Sequence, residues 1–214
     1  MFGRAEPLLQ PKRGYRFGPE NLVFGDLVHG ARATHVLDLG AGCGVLGLVA
    51  AGRLAAPPER VTLVERNPDM AAWARANATR SAPIPVEVVE ADLRAAELPA
   101  ADLIVANPPW FAPGAGRPSR HQTTREATHA HHGDVVDFVR AGASALADGG
   151  TLWLVGPDDD TAASVEAGTR AGLWLRQLVR VYARHTRRGH RVWTAWTHAP
   201  GPCEVRSMTA VTDR

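Results

Sequence analysis

The residues with the most pointed chemistry are Asn107, Pro108, Pro109 and Trp110, which follow directly on the apolar run ADLIVA. Two consecutive prolines fix φ and remove two amide donors, leaving carbonyl groups aimed in a defined direction. The side-chain carbonyl of Asn107 and the backbone carbonyl of Pro108 can together accept hydrogen bonds from one planar amino group. Such bonds orient its nitrogen lone pair toward an electrophilic carbon. Trp110 offers a face on which the ring carrying that amine can stack. No strong base is needed, because the nitrogen becomes acidic as the new N–C bond forms and can release its proton to water. The plainer alternative is a strand stopped by two prolines and followed by a buried Trp.

A second constellation is VLDLGAGCG, Val36 to Gly44, a strand entering a glycine-rich turn that opens a helix. Gly40, Gly42 and Gly44 permit a sharp turn and close approach of the backbone to a ligand. A dinucleotide fingerprint would place its third glycine where Val45 stands. Asp38 would also set a carboxylate beside a pyrophosphate, which is electrostatically wrong. The acid suits a cationic ligand instead, and S-adenosylmethionine, with its ammonium and sulfonium groups, is matched to it. The run VTLVERNP ends a second strand at Glu65, whose two carboxylate oxygens can accept hydrogen bonds from both hydroxyls of a ribose. Asn67-Pro68 then starts a helix. In the third such segment, Asp92 is placed either to accept from an adenine amino group or to cap a helix.

These groups need a scaffold that brings strand ends together. Short β-rich runs begin at His35, Val61, Pro85, Ala101, Thr151, Leu173 and Arg191, giving about seven strands. Helix-compatible stretches at 45–54, 69–79, 134–146 and 160–171 alternate with them. That alternation predicts a single doubly wound α/β domain, mostly parallel, with ligands at the carboxyl ends of its strands. The last two strands are joined by a short turn at 187–189, so one of them runs antiparallel and adds an antiparallel edge strand. Residues 1–34 form a capping segment ahead of the domain proper, 35–214, and Gly18-Pro19 starts a helix over 20–28 expected to cap the ligand cleft. The irregular stretch 108–133 is long enough to be a functional loop.

Composition sets the outer bounds. The chain has 214 residues, 45% hydrophobic and 21% charged, the balance of a water-soluble globular domain rather than a disordered or fibrous one. No run approaches the ~18 apolar residues of a membrane span, and the N-terminus lacks the apolar core of a signal peptide, so a cytoplasmic location is expected. Cys43 and Cys203 read as free thiols. His129, His131 and His132 lack metal-ligand spacing, and no metal is expected. Net charge is only +2, yet the stretch from Ala167 to Cys203 contains Arg170, Arg176, Arg180, Arg184, Arg187, Arg188 and Arg191, with His185 and His190, and no acid. It could seat a phosphate backbone or form a solvated hairpin. Trp193 and Trp196 read as packing groups at a sheet edge. Arg16 could anchor the capping helix or lie exposed.

DLGAGCG, the Glu65 strand and NPPW together resemble the class I S-adenosylmethionine-dependent N-methyltransferases, whose Rossmann-like fold is the doubly wound sheet just described. The N-terminal run LLQPKRGYRFGPENLVFGDLV is similar to that of the bacterial valine-tRNA adenine-N6 methyltransferase family, a likeness extending from Leu8 to about Val155. The resemblance implies S-adenosyl-L-methionine held by Phe17, Asp38, Gly40, Ala41, Gly42, Gly44, Glu65, Arg66, Asp92, Leu93 and Asn107. It implies catalysis by Asn107, Pro108, Pro109 and Trp110 on a flipped adenine, with tRNA as partner against the basic hairpin. Trp110 stands where the family commonly has Tyr or Phe, Glu20 where it has Asp, and Thr128-His129-Ala130 where Arg-His-Glu is usual. A protein glutamine-N5 methyltransferase shares the Asn-Pro-Pro geometry, and a small-molecule amine methyltransferase would not need the basic hairpin. A non-catalytic cofactor-binding scaffold remains a further alternative.

Overall fold

The computed structural model describes residues 7–12, 20–81, 84–109, 134–183 and 189–210. Phe17, Arg16, Trp110, the stretch 110–133 with its three histidines, and 184–188 with Arg184, His185, Arg187 and Arg188 lie outside them. The strands are β1 (His35–Leu39), β2 (Arg60–Glu65), β3 (Val86–Glu90), β4 (Ala101–Ala106), β5 (Leu146–Gly156), β6 (Trp174–Ala183), β7 (Gly189–Thr197) and β8 (Glu204–Ala210). The helices are α1 (Glu20–Leu27), α2 (Val45–Ala51), α3 (Pro68–Arg80), α4 (Val135–Ala145) and α5 (Thr161–Arg170), with a short 3-10 turn at Asp158–Asp160 before the last.

The strands form one eight-stranded sheet in the order β3-β2-β1-β4-β5-β7-β6-β8. The neighbours from β3 to β5 are parallel, and the order reverses direction of growth at β1 and β4, where a ligand crevice opens in such sheets. The antiparallel strand expected from the sequence is present, but it is β7 and it lies inside the sheet, hydrogen-bonded to β5 and β6. The added strand β8 pairs parallel with β6 and forms that edge.

Alternation of side chains along the strands builds two cores. On one face Val36, Leu63, Val105, Trp153 and Trp193 pack with Val23 and Phe24 of α1, with Val28 just after it, and with Leu46 and Leu48 of α2. On the other, Leu37, Leu39, Ile104, Leu152 and Trp196 meet Phe138 and Val139 of α4 and Ala167 of α5. The helix at 20–27 is thus an integral part of a sheet-covering layer: Phe24 stacks on Trp193 at 4.6 Å between ring centroids and meets Trp153 edge-on. Trp193 and Trp196 are indeed packing groups, each fully buried, one on each face of an interior strand. Gly168 allows the close approach of α5, since a Cβ there would fall 2.6 Å from the Trp196 ring.

Candidate active site

β1 delivers the chain into the glycine turn at the carboxyl end of the sheet. Gly40, Gly42 and Gly44 have φ of 66°, 58° and 80°, a region L side chains avoid. Gly44 is excluded sterically as well, because a Cβ would lie 2.7 Å from Leu63 Cδ1. The turn is held by its own polar groups. Ala41 N–H donates to the Val64 carbonyl at 2.9 Å and Gly44 N–H to the Ala41 carbonyl at 2.8 Å. Gly42 N–H donates to Glu65 Oε2 at 2.8 Å.

Two carboxylates support this turn from below and beside. Asp38 is 1% exposed, and its Oδ2 accepts from Gly47 N–H in the first turn of α2 at 2.7 Å. Burial pushes its carboxyl up to about 7, the Gly47 bond offsets part of that, and the neighbouring Glu65 charge adds to it. Glu65 uses its second oxygen, Oε1, to accept from Asn67 N–H at 2.7 Å. Burial pushes its carboxyl above the ordinary range too, against the opposing pull of the Asn67 and Gly42 amides and of Arg66. Each Glu65 oxygen has a further lone pair, so bonds to two ligand hydroxyls need not displace the amides. Asn67 Oδ1 caps α3, accepting from Asp69 and Met70 N–H at 3.0 and 3.2 Å.

Asp92 sits in the turn after β3 and is engaged locally. Its Oδ1 accepts from Arg94 N–H at 3.0 Å and Arg94 Nε at 2.9 Å. That Arg94 contact pulls its carboxyl down to about 2. A bond to an adenine amino group would be in addition to this turn cap. Leu93 packs at the margin of the core on the α4 face.

The register places the Asn-Pro-Pro segment beside the glycine turn. Leu39 of β1 pairs with Ala106 of β4, so Gly40 and Asn107 leave adjacent strands side by side. Asn107 and Pro109 are half-buried and Pro108 is buried. The structure therefore brings Asp38, Gly40, Ala41, Gly42, Gly44, Glu65, Arg66 and Asn107–Pro109 to one end of the sheet, with Asp92 and Leu93 at the next strand end. Phe17 and Trp110 fall outside the described residues.

One residue that the sequence did not single out proves central to the turn. Asn77 of α3 is fully buried. Its Nδ2 donates to the carbonyls of Cys43 and Leu9, each at 2.8 Å, and its Oδ1 accepts from Leu9 N–H at 2.6 Å. Cys43 itself is buried and free, its thiol pushed up to about 11 by burial, so it is not a nucleophile. The basic stretch is also less bare than it reads. Arg170 pairs with Glu166 at 2.7 Å and Arg180 with Asp158 at 3.4 Å, acids supplied from before the acid-free run. Arg176 donates to the carbonyls of Ala199, Pro200 and Pro202.

The chain is similar to known proteins over most of its length. The family model described as methyltransferase small domain matches residues 22–167. A tRNA1(Val) (adenine(37)-N6)-methyltransferase of Klebsiella pneumoniae is 31% identical over 192 residues, 88% of this chain and 77% of that protein. Among solved structures, a predicted O-methyltransferase from Agrobacterium tumefaciens superposes with a TM-score of 0.61 at 24% identity, over 89% of this chain and 86% of its own. A Listeria monocytogenes protein described as a class I S-adenosylmethionine-dependent methyltransferase gives 0.66 at 12% identity, over 91% of this chain and 66% of its own.

Proposed function

This chain belongs to the methyltransferase small domain family, and from that premise we propose that it methylates the N6 nitrogen of an adenine in tRNA, using S-adenosyl-L-methionine. The observation that carries the reading is the side-by-side exit of Gly40 and Asn107 from β1 and β4. It sets a turn suited to the cofactor against a platform suited to an amino group. The donor set fits the cofactor's charge: the carboxyls of buried Asp38 and half-buried Glu65 are pushed above their ordinary range, and a nearby cation would stabilise their ionised forms. Glu65 would hold the ribose, and the open amide-rich turn of Gly40, Ala41, Gly42 and Gly44 the methionine portion, with Arg66, Asp92 and Leu93 around the base.

When bound, the cofactor supplies an electrophilic methyl group, whose carbon–sulfur bond breaks with the electron pair left on sulfur. Asn107 and the Pro108 carbonyl accept the two hydrogens of the target amine and hold its lone pair toward that carbon, so rate comes from orientation. As the nitrogen gains positive charge, the same two oxygens stabilise it, and its proton leaves to water. Trp110 would supply the stacking face for the flipped base, and Phe17 would close over the cofactor. The tRNA acceptor is supported by the names of the relatives, among them the Klebsiella enzyme, and the basic β6–β7 hairpin would face its backbone. Such an enzyme would work in the cytoplasm, and among the described residues no helix is long and apolar enough to cross a membrane.

The test is transfer of labelled methyl from S-adenosylmethionine to bulk bacterial tRNA that lacks its own modification, with Asn107→Ala as control. Label recovered as N6-methyladenosine and lost in the variant is the expected result. Unlabelled RNA with cofactor binding intact would overturn the acceptor and turn attention to protein glutamine and small amines.

A further inference from the structure

We infer that Asn77 is a positioning residue that locks the N-terminal strap, residues 7–12, to the cofactor turn, so that seating of the strap and affinity for the cofactor rise and fall together. The inference rests on the reading of the glycine turn as the cofactor site.

The bonding of Asn77 is unusual for a helix residue. Its amide pairs with both the N–H and the carbonyl of Leu9, as an opposing strand residue would, and the remaining hydrogen of the same nitrogen goes to Cys43 O. The peptide unit between Cys43 and Gly44 is thereby gripped at both ends: its carbonyl by Asn77, and its N–H by the Ala41 carbonyl. Gly44 is the left-handed residue from which α2 starts, so the orientation of this peptide sets how the turn hands over to the helix. The first two turn amides are fixed from the β2 side by Val64 and Glu65. Asn77 therefore supplies, from α3, the outer support that β2 cannot reach.

The strap has its own apolar seat. Leu8 packs on the cluster of Cys43, Val45 and Met70, with Trp73 beside it, and Arg80 Nε donates to the Pro7 carbonyl at 3.3 Å. Leu8 and Asn77 thus address the same short stretch of turn, one by contact and one by hydrogen bonds. No other natural side chain reproduces the set. Asp offers no donor to the two carbonyls and would place charge against them, Ala offers nothing, and Gln carries its amide one methylene too far out from α3. A ligand that settles on the turn favours the arrangement in which the Cys43 peptide is held, and through Asn77 that arrangement also holds Leu9.

The experiment compares full-length wild type, Asn77→Ala and Asn77→Asp, with S-adenosylhomocysteine as the probe. Dissociation constants are measured at equilibrium, alongside the rate of tryptic cleavage after the exposed Lys12 with and without the probe. In wild type the probe should slow cleavage after Lys12. Both variants should bind the probe about tenfold or more weakly, the loss of roughly one buried amide bond. In both, cleavage after Lys12 should be fast and insensitive to the probe, while cleavage after Arg53 and Arg170 stays at the wild-type rate.

If Asn77→Ala opens the whole domain, cleavage after Arg53 and Arg170 rises in step with that after Lys12, and the residue is merely structural. That outcome overturns the inference, as does binding within twofold of wild type with Lys12 still protected. Leu9→Pro provides a second variant should Asn77→Ala fail to fold. It removes the strap's N–H donor but leaves the Asn77 bond to Cys43, and it should free Lys12 while weakening the probe less than Asn77→Asp does. A Leu9→Pro chain with Lys12 as protected as in wild type overturns the inference. Wild type that binds no S-adenosylhomocysteine would overturn the cofactor reading itself, and this inference with it.

Discussion

The two ends of the central strands treat their carboxylates in opposite ways. At the amino end, Asp102 of β4 gathers three donors on one oxygen: Thr34 Oγ at 2.6 Å, Thr34 N–H at 2.9 Å and His35 N–H at 2.9 Å. The Thr34 hydroxyl is the main reason its carboxyl lies below the usual range. His35 beside it is buried and fully bonded, Nδ1 against the Ala100 carbonyl and Nε2 against Thr62 Oγ. Burial shifts its imidazole below the ordinary value, which favours the neutral ring. At the carboxyl end, Asp38 accepts from Gly47 N–H and Glu65 from Gly42 and Asn67 N–H, yet burial leaves both acids above their ordinary range. One end is electrostatically finished by the fold alone. The other holds acids whose ionised forms burial disfavours, and a bound cation would favour them.

The largest contrast between the ends should appear in turnover. Asn107→Ala removes one of two acceptors for the target amine and should lower methyl transfer by about a hundredfold or more, well beyond any loss in S-adenosylhomocysteine binding. A variant that lost binding in proportion to turnover would place Asn107 in cofactor retention instead. Next is Glu65→Gln, which turns one of two amide-accepting oxygens into a donor facing Gly42 or Asn67 N–H. Cofactor affinity should fall about tenfold, read by equilibrium binding.

Asp102→Ala should do the reverse, leaving turnover per folded molecule intact and costing about 1 kcal/mol of stability in chemical denaturation at pH 7, a value reduced by solvent exposure of the site. The sign with pH follows from its carboxyl lying below the usual range in the folded protein. The contribution of Asp102 is present above the unfolded carboxylate range and is lost as pH falls through the folded value, so variant and wild type should converge in acid. Equal losses of stability from Asp102→Ala and Asn107→Ala would erase the distinction between the ends.

Much of this arrangement is legible in the sequence. Strands β1 to β7 are apolar, β-branched segments, and the glycine turn, Glu65 and Asn-Pro-Pro stand at strand ends where the alternation of elements puts them. The edge strand β8 escaped notice because EVRSMTA is polar and almost wholly exposed, with Val205 62% exposed, so it has little apolar alternation to read. The interior position of β7 depends on which partner the β6–β7 hairpin offers to β5, a choice local sequence does not encode. Its tryptophans carry a usable signal, because Trp193 and Trp196 fall on opposite faces and only a strand covered on both sides buries both. Asn77 was hidden for a different reason. Within ARANATR it looks like any polar helix residue, and its role exists only once Leu9 and Cys43 arrive from distant parts of the chain. The acid-free basic stretch is partly neutralised by acids outside it, because Glu166 and Asp158 pair with Arg170 and Arg180 across space.

The claim that the carboxyl end of the sheet waits for a cation is tested most directly by the pH dependence of S-adenosylhomocysteine affinity in wild type and Asp38→Asn. With the Asp38 carboxyl near 7 in the free protein, its ionised fraction grows as pH rises from 6 to 7.5, and the ligand ammonium favours that form. Affinity should therefore strengthen across this interval in wild type and stay flat in Asp38→Asn, which should also bind more weakly at the upper end. Wild-type affinity that does not change with pH, or a rise that persists undiminished in Asp38→Asn, would contradict the account.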